Sequence, residues 1–338
     1  MLNRDTRQIL RLITPIRAWN LMQLRFSYYY SRIIRKPWMW GKPFSISIEP
    51  TTACNLGCPE CPSGLRQFTR DTGNLKEDLN LSLLKAFGKR LMYINYYFQG
   101  EPFINPSFLA MVEQAAKRGI YTATSTNAHF LHDQLARRTV ESGLHRLIIS
   151  IDGTTQDTYE QYRVNGKLDK VLEGTRNIVR WKEELNSATP HVIFQFLVVK
   201  PNEHQVQEVF ALARSLGVNE VRLKTAQFYN YENGNPLMPE NEQYSRYVKG
   251  RDGKYRLKNR MRNHCWRMWQ GCVVTWDGKV VPCCFDKDAL HQLGSLSDNA
   301  LHTIWHGAPY RQFRQAVLRS RKSIDICSNC SEGSQVWS

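Results

Sequence analysis

No run of about 18 uninterrupted apolar residues occurs in the chain, which excludes an ordinary transmembrane helix. Arg17, Arg25 and Arg32 break the apolar N-terminal stretch, so it does not read as the core of a secretory signal either. There is no internal repeat and no low-complexity tract. Acids are scarce, 30 Asp and Glu against 46 Lys and Arg, which leaves a net charge of +16. The nine cysteines are odd in number and fall into a group of three and a later group of six. Such a set, without a secretory signal, is a poor disulfide framework and reads as metal ligation in a reducing cytoplasm.

What is present is a globular chain. Its 338 residues suffice for one large domain or two smaller ones, and 42% apolar residues with 11% aromatics supply a core. The charge is local: residues 1–42 hold nine Lys and Arg and one acid, residues 245–267 hold the same balance, and the remainder is neutral. Two basic islands on a neutral body point to local contacts with phosphate or an anionic surface, and no specific nucleic acid is expected. The second island also fits a solvated loop. In the first, Ile16 to Lys36 reads as a helix with Arg25, Arg32 and Lys36 on one side. Trp19, Leu24, Phe26, Tyr28, Tyr29, Tyr30, Ile33 and Ile34 supply apolar and interfacial surface. Two readings stand: residues 1–36 lie on an anionic membrane, peripheral to its inner face, or the helix packs on the main domain with its arginines reaching out to water.

Beyond Gly41 the pattern alternates apolar strands with helices. Strands are expected at 44–49, 93–98, 121–126, 147–151, 192–199 and 220–224, with helices near 81–91, 107–118, 133–142, 171–185 and 203–216. This order argues for parallel β/α units, too few for a closed eight-stranded barrel and suited to an open one. Residues 227–264, with Asn-Gly, Asn-Pro, Met-Pro and Asp-Gly dipeptides, read as a loop-rich basic linker. A short cysteine-rich module follows, with a helix near 301–319; a module of that size calls for a metal staple.

Cys54, Cys58 and Cys61 sit at C-x3-C-x2-C spacing directly after the first strand. Soft thiolates at such spacing select zinc, copper(I) or iron–sulfur centres. Three ligands without a local fourth leave one position open, which suits an iron–sulfur cluster with one iron not held by protein and makes structural zinc the weaker alternative.

The cysteine spacing, FQGEPFINP after the second strand, STNAHFL after the third and LIISIDGTTQDTYEQYR around the fourth together resemble the radical S-adenosylmethionine (SAM) enzymes over residues 44–225. Each motif lies at the carboxyl end of an expected strand, where barrel enzymes place their chemistry. The resemblance implies that Cys54, Cys58 and Cys61 hold a [4Fe–4S] cluster whose fourth iron binds SAM, and that reductive cleavage of SAM yields a 5′-deoxyadenosyl radical that abstracts hydrogen from substrate. It further implies SAM contacts from Gly100, Glu101 and Pro102, from Ser125, Asn127, Ser150 and Asp152, and from Arg163 to the methionine carboxylate. Ser125, Asn127 and Asp152 also fit simple loop or helix caps, and Arg163 an ordinary surface residue. The chain departs from the family at Glu60, where an aromatic residue usually precedes the third cysteine.

CWRMWQGCVVTWDGKVVPCCFD, LGSL, TIW and CSNC resemble the SPASM extension of that family, in its short twitch form. The matching positions Cys265, Cys283, Cys327 and Cys330 imply one auxiliary [4Fe–4S] cluster, with a hairpin at Trp276–Lys279 between the first two. A four-cysteine zinc module is the competing reading. Cys272 and Cys284 are left over; Cys284, beside a ligand in a strand, would point to the opposite face, and Cys272 is either an alternative to Cys265 or a reactive thiol.

The fold expected is therefore α/β: a partial (β/α)6 TIM-type barrel with a small C-terminal SPASM/twitch module. The divisions are a basic amphipathic extension (1–42), the radical SAM barrel (43–226), the basic linker (227–264) and the auxiliary cluster domain (265–338). The function implied is a radical SAM oxidoreductase in the cytoplasm, served by an electron donor such as flavodoxin or ferredoxin. A fully ligated auxiliary cluster would accept an electron from the substrate. Without a recognisable peptide-recognition domain, a small polar, sugar-like or lipid-linked substrate is preferred over a peptide to be cross-linked or oxidised. A noncatalytic metal-stabilised nucleic-acid binder is the reading from another class, and the ordered SAM-type motifs argue against it.

Overall fold

The computed structural model of the chain describes residues 4–331. Residues 1–3 and 332–338, the outer ends of the expected extension and cysteine-rich module, lie outside the described residues. Six strands stand where the sequence places them: β1 Ser45–Ile48, β2 Tyr93–Asn95, β3 Tyr121–Thr126, β4 Arg146–Ser150, β5 His191–Val198 and β6 Glu220–Thr225. Helices Glu77–Phe87, Phe108–Ala116, Asp133–Glu141, Leu168–Glu184 and Val206–Ser215 alternate with them. Five short strands follow: β7 Tyr247–Lys249, β8 Tyr255–Leu257, β9 Gly271–Val274, β10 Lys279–Val281 and β11 Gly294–Ser295. The expected helix near 301–319 is two, Leu301–His306 and Ala308–Ser320, because Gly307 takes an extended backbone and Pro309 lacks an N–H donor.

The chain divides into two compact units. Of the described residues, the first holds 4–53, Phe68–Thr124 and 261–331. Its strands run β11-β10-β9-β1-β2-β3. β1 is parallel to both β2 and β9, and β10 is antiparallel to β9 and β11. The cysteine-rich module thus adds a strand directly to β1. That junction needs Gly271: a Cβ there would lie 1.6 Å from the Ser45 carbonyl oxygen. The β9–β10 turn falls at Trp276–Gly278 as expected, with Thr275 N–H donating to the Lys279 carbonyl at 3.0 Å. β9 is buried along its whole length, while β1 buries Ile46 and Ile48 on one face and leaves Ser45 and Ser47 partly exposed on the other.

Two helices lead into this unit, α1 Arg4–Arg11 and α2 Pro15–Ile34. Thr14 caps α2 by accepting from Arg17 N–H at 3.3 Å, and Pro15 opens it. The inward side of α2 carries Asn20, Leu24, Ser27, Tyr28 and Ser31, all buried. Three of these are polar and anchor the returning chain. Ser31, Ser27 and Asn20 accept from the backbone N–H groups of Trp38, Trp40 and Lys42 at 2.9, 2.8 and 2.9 Å.

The second unit holds Cys54–Gln67 and Ser125–Arg260. β4, β5 and β6 form its parallel sheet, and β7 and β8 a separate antiparallel hairpin. The stretch expected to be a loop-rich basic linker is mostly irregular and contains this hairpin, and it packs on the rest of the unit. Phe228, Met238 and Tyr247 share one apolar cluster with Leu56 and Cys58, and Tyr231 stacks on Tyr247 with ring centroids 4.4 Å apart. The hairpin therefore packs on the loop that carries the first three cysteines.

Candidate active site

In the second unit, Cys58 is buried while Cys54 and Cys61 are half-buried. The loop is closed by the short helix Pro62–Leu65, whose Leu65 N–H donates to Cys61 O at 2.8 Å. Gly57 N–H donates to Val164 O at 2.9 Å, which ties the loop to the segment after Tyr162. Arg163 lies in that segment. Its Nε donates to Asp152 Oδ2 at 2.5 Å, and its Nη1 faces Cys58 Sγ at 3.6 Å. Burial raises the Asp152 carboxyl, with the guanidinium opposing that rise; burial works against the Arg163 charge, but Asp152 and Cys58 carry its pKa well above the ordinary value. Burial likewise pushes the Cys58 thiol up, and the guanidinium opposes that rise. Arg163 is thus neither an ordinary surface residue nor free for a ligand carboxylate alone, since its fork already engages protein groups. Asp152 also accepts from Leu197 N–H at 2.7 Å, so it is a fixed anchor and not a loop cap.

Asn127 donates to Asn55 Oδ1 at 2.7 Å, beside Cys54. Ser150 ends β4 and is buried; Ser125, near the end of β3, is half-buried. Glu60 accepts from Tyr229 N–H at 3.2 Å and from the Asn235 amide at 3.1 Å. The residue that departs from the family pattern therefore binds the cysteine loop to the segment preceding the hairpin. Beside this segment lies an open pocket of about 520 Å³, with Asn235, Met238, Tyr247, Lys249 and Tyr255 among its walls.

In the first unit, Gly100 has φ +73°, and a Cβ there would lie 2.3 Å from Thr51 O and 2.8 Å from Ala53 O. Glu101 N–H donates to Ala53 O at 2.7 Å, so Gly100-Glu101-Pro102 is laid against the backbone just ahead of Cys54. The Glu101 carboxylate is buried and accepts from Phe103 N–H at 3.3 Å. Sequence reasoning missed a buried ion pair nearby. Glu49 at the end of β1 takes both Arg70 Nη groups, at 2.8 and 2.5 Å, and accepts from Trp276 N–H at 3.2 Å. Glu49 follows the strand and Arg70 lies in an irregular loop, so neither carried a pattern.

The same unit gathers Cys265, Cys283, Cys327 and Cys330 around one small cavity, with Met268, Phe285, Phe313 and Val317 as apolar walls. Arg321, also unforeseen, is buried there and donates to Cys330 Sγ at 3.2 Å and to His264 O at 3.1 Å. Burial works against its charge, yet the surrounding thiols raise its pKa. Burial pushes Cys327 up to about 12. Cys272 and Cys284 do not line this cavity. Cys272 is buried in β9 opposite Ile46, and burial raises it to about 12, which is a core thiol and not a reactive one. The reasoning for Cys284 needs correction: β10 ends at Val281, so Cys283 and Cys284 lie in the following turn and strand alternation does not separate them.

The donor sets fit iron–sulfur centres. Four thiols spaced around an apolar cavity, with a buried guanidinium against them, suit a larger anionic cluster.

The Radical SAM superfamily model matches residues 48–213, and the SPASM model, an iron–sulfur cluster-binding domain, matches residues 265–331. The chain belongs to the radical SAM superfamily. A [4Fe–4S] cluster, SAM and auxiliary iron–sulfur ligation come with that membership. Among curated relatives, this radical SAM chain is 26% identical to the tungsten-containing aldehyde ferredoxin oxidoreductase cofactor-modifying protein of Pyrococcus furiosus, over 84% of the chain and 86% of the relative. It is 25% identical to the PqqA peptide cyclase of Gluconobacter oxydans, over 87% of the chain and 84% of the relative. In fold it is similar to Streptococcus suis SuiB bound to its precursor peptide SuiA, with TM-score 0.63 and 13% identity over 92% of this chain and 75% of that one. The expected α/β class with a parallel sheet and a cysteine-rich C-terminal module stands. The preference for a small polar substrate does not gain from these relatives, which favour the peptide alternative.

Proposed function

We propose that this radical SAM enzyme is a maturase that oxidises or cross-links a peptide substrate. The observation that carries the reading is its relatedness, over 87% of the chain, to a protein named as a peptide cyclase. The earlier preference for a small substrate rested on a missing domain, and a positive likeness outweighs it. The open pocket beside the cysteine loop supports a peptide as well, because it combines amide, aromatic and charged groups in one trough.

In this reading Cys54, Cys58 and Cys61 hold the SAM-binding cluster, and Cys265, Cys283, Cys327 and Cys330 the auxiliary one. When bound, these groups supply a carbon-centred radical and an acceptor for one electron. The chain's own residues position them. Asp152 fixes Arg163, whose positive charge offsets that of the thiolate at Cys58. Gly100 lets the Gly100-Glu101-Pro102 segment approach the backbone ahead of Cys54, with Glu101 and Pro102 closing that side. Ser125, Asn127 and Ser150, near or at strand ends, supply hydrogen bonds to SAM. Phe285, Phe313 and Val317 exclude water from the auxiliary cavity. A flavodoxin or ferredoxin delivers the initiating electron, and two groups of cysteines that serve as metal ligands suit a reducing cytoplasm.

The substrate class is tested with anaerobically reconstituted enzyme, SAM and reductant, by following 5′-deoxyadenosine as host extract is added. Stimulation abolished by digesting the extract with a protease is the expected result. Stimulation that survives digestion would move the assignment to a small-molecule substrate. No 5′-deoxyadenosine under any condition would overturn the enzymatic reading.

A further inference from the structure

α2 is amphipathic in reverse. Its protein side is rich in polar groups, while its outer side presents Ile16, Trp19, Met22, Phe26, Tyr30 and Ile33, all at least 40% exposed, with Ile33 reaching 79%. Their spacing of three and four residues makes one continuous stripe. Trp38 and Trp40, held against α2 by Ser31 and Ser27, widen it. The rings of Trp19, Phe26, Tyr30, Trp38 and Trp40 touch in series, with centroids 5.6 to 6.5 Å apart. Monomeric proteins rarely leave so large a connected apolar patch in water without using it.

The edges of the stripe are basic. Arg7, Arg11, Arg25, Arg35 and Lys36 are exposed. The one acid among residues 1–42, Asp5, is buried and bonded by the Tyr121 hydroxyl. Among the described residues of this N-terminal segment the exposed charges are therefore all cationic. A second copy of the chain would set these cations against each other. An anionic bilayer would meet them with phosphate while taking the tryptophan and tyrosine rings at headgroup depth, where such rings are favoured. No described helix is long and apolar enough to cross a membrane, so the contact is with its surface.

We propose that the outer face of α2, together with Trp38 and Trp40, docks this enzyme on an anionic phospholipid bilayer. The polar inward side explains the arrangement: the Ser31, Ser27 and Asn20 bonds tie α2 to the segment 38–42 that returns to β1, so the stripe and the two tryptophans are already assembled as one face.

The test is flotation of the full reconstituted chain with vesicles of phosphatidylcholine alone or mixed with phosphatidylglycerol. Binding to the mixed vesicles is expected. Phe26→Glu with Ile33→Glu should lower it by at least about tenfold. Arg35→Gln with Lys36→Gln should lower it roughly thirtyfold on anionic vesicles and leave neutral vesicles unaffected. Melting temperature and 5′-deoxyadenosine formation should stay unchanged in both, which separates this docking from the catalytic reading. Failure of the unmodified chain to float would overturn the proposal. So would a dimer in light scattering that Phe26→Glu with Ile33→Glu dissolves, since the stripe would then be a self-interface.

Discussion

Arg163 and Asp152 form a 2.5 Å ion pair in which the carboxylate is fully buried and the guanidinium turns its other edge to Cys58. The pair links the end of β4 to the cysteine loop. Its removal has an asymmetric cost. Asp152→Asn keeps an acceptor for Leu197 N–H but leaves the Arg163 guanidinium without its carboxylate partner, and a loss of about 3 kcal/mol in unfolding free energy is expected. Asp152→Asn with Arg163→Gln should recover part of that loss, because the guanidinium charge is no longer left without that partner. Denaturation of both variants, with iron counted per chain, checks the coupling. Equal destabilisation in the single and double variants would show that the charge of Arg163 is not what Asp152 serves.

The cavity assignment predicts iron content. A Cys54/Cys58/Cys61→Ala triple variant should retain about four irons per chain, the content of one remaining [4Fe–4S] cluster. Adding Cys283→Ala to it should abolish them. Cys272→Ala and Cys284→Ser should leave the full iron content unchanged, because neither residue lines the cavity. Chemical iron and sulfide analysis after anaerobic reconstitution decides the matter, and loss of all iron in the triple variant would contradict an independent auxiliary site.

The six strands were legible because each carries a short apolar run between helix-like stretches, and the cysteine groups were legible because ligand spacing is local. What escaped were relationships across sequence distance. Glu60 appeared only as a departure from a pattern, yet it fastens Tyr229 and Asn235, about 170 residues on, to the cysteine loop. Residues 227–264 read as a linker because proline, glycine and charge dominate them; their few aromatic and apolar residues, Phe228, Met238 and Tyr247, are what pack. Arg321 stands six residues ahead of Cys327 without any periodicity to mark it. For α2 the aromatic content was visible, but the polar Asn20, Ser27 and Ser31 facing inward reverse the usual rule that the apolar side of a helix is buried.

Gly100 predicts a sharp substitution effect. Its φ of +73° is unfavourable for any L side chain, and an added Cβ would collide with Thr51 O at 2.3 Å. The obstructing atoms, Thr51 O and Ala53 O, are backbone, so relief requires moving the segment ahead of Cys54. Gly100→Ala should cost roughly 2–3 kcal/mol. It should also raise the SAM concentration needed for half-maximal 5′-deoxyadenosine formation more than it lowers the auxiliary iron content. Thermal unfolding and SAM titration of the variant check both parts; wild-type behaviour in the two would remove Gly100 from the site's architecture.

His306 predicts how stability responds to acid. It is half-buried, and burial together with nearby His302, Arg314 and Lys42 lowers its pKa to about 4 from the ordinary 6.5. The folded state therefore binds fewer protons than the unfolded chain between those two values, so stability rises with pH across that window. The contribution is fully present above pH 6.5 and fades as pH falls toward 4. The whole shift would correspond to about 3 kcal/mol, but water reaches half of the ring and screens the repulsion, so about 1 kcal/mol is expected. His306→Asn removes the titrating group while keeping a side chain of similar polarity. Its unfolding free energy should fall less steeply than that of the native chain between pH 6.5 and pH 4, by about that 1 kcal/mol. Denaturant titrations at three pH values measure the difference, and parallel curves for the two proteins would mean that the ring titrates alike in both states.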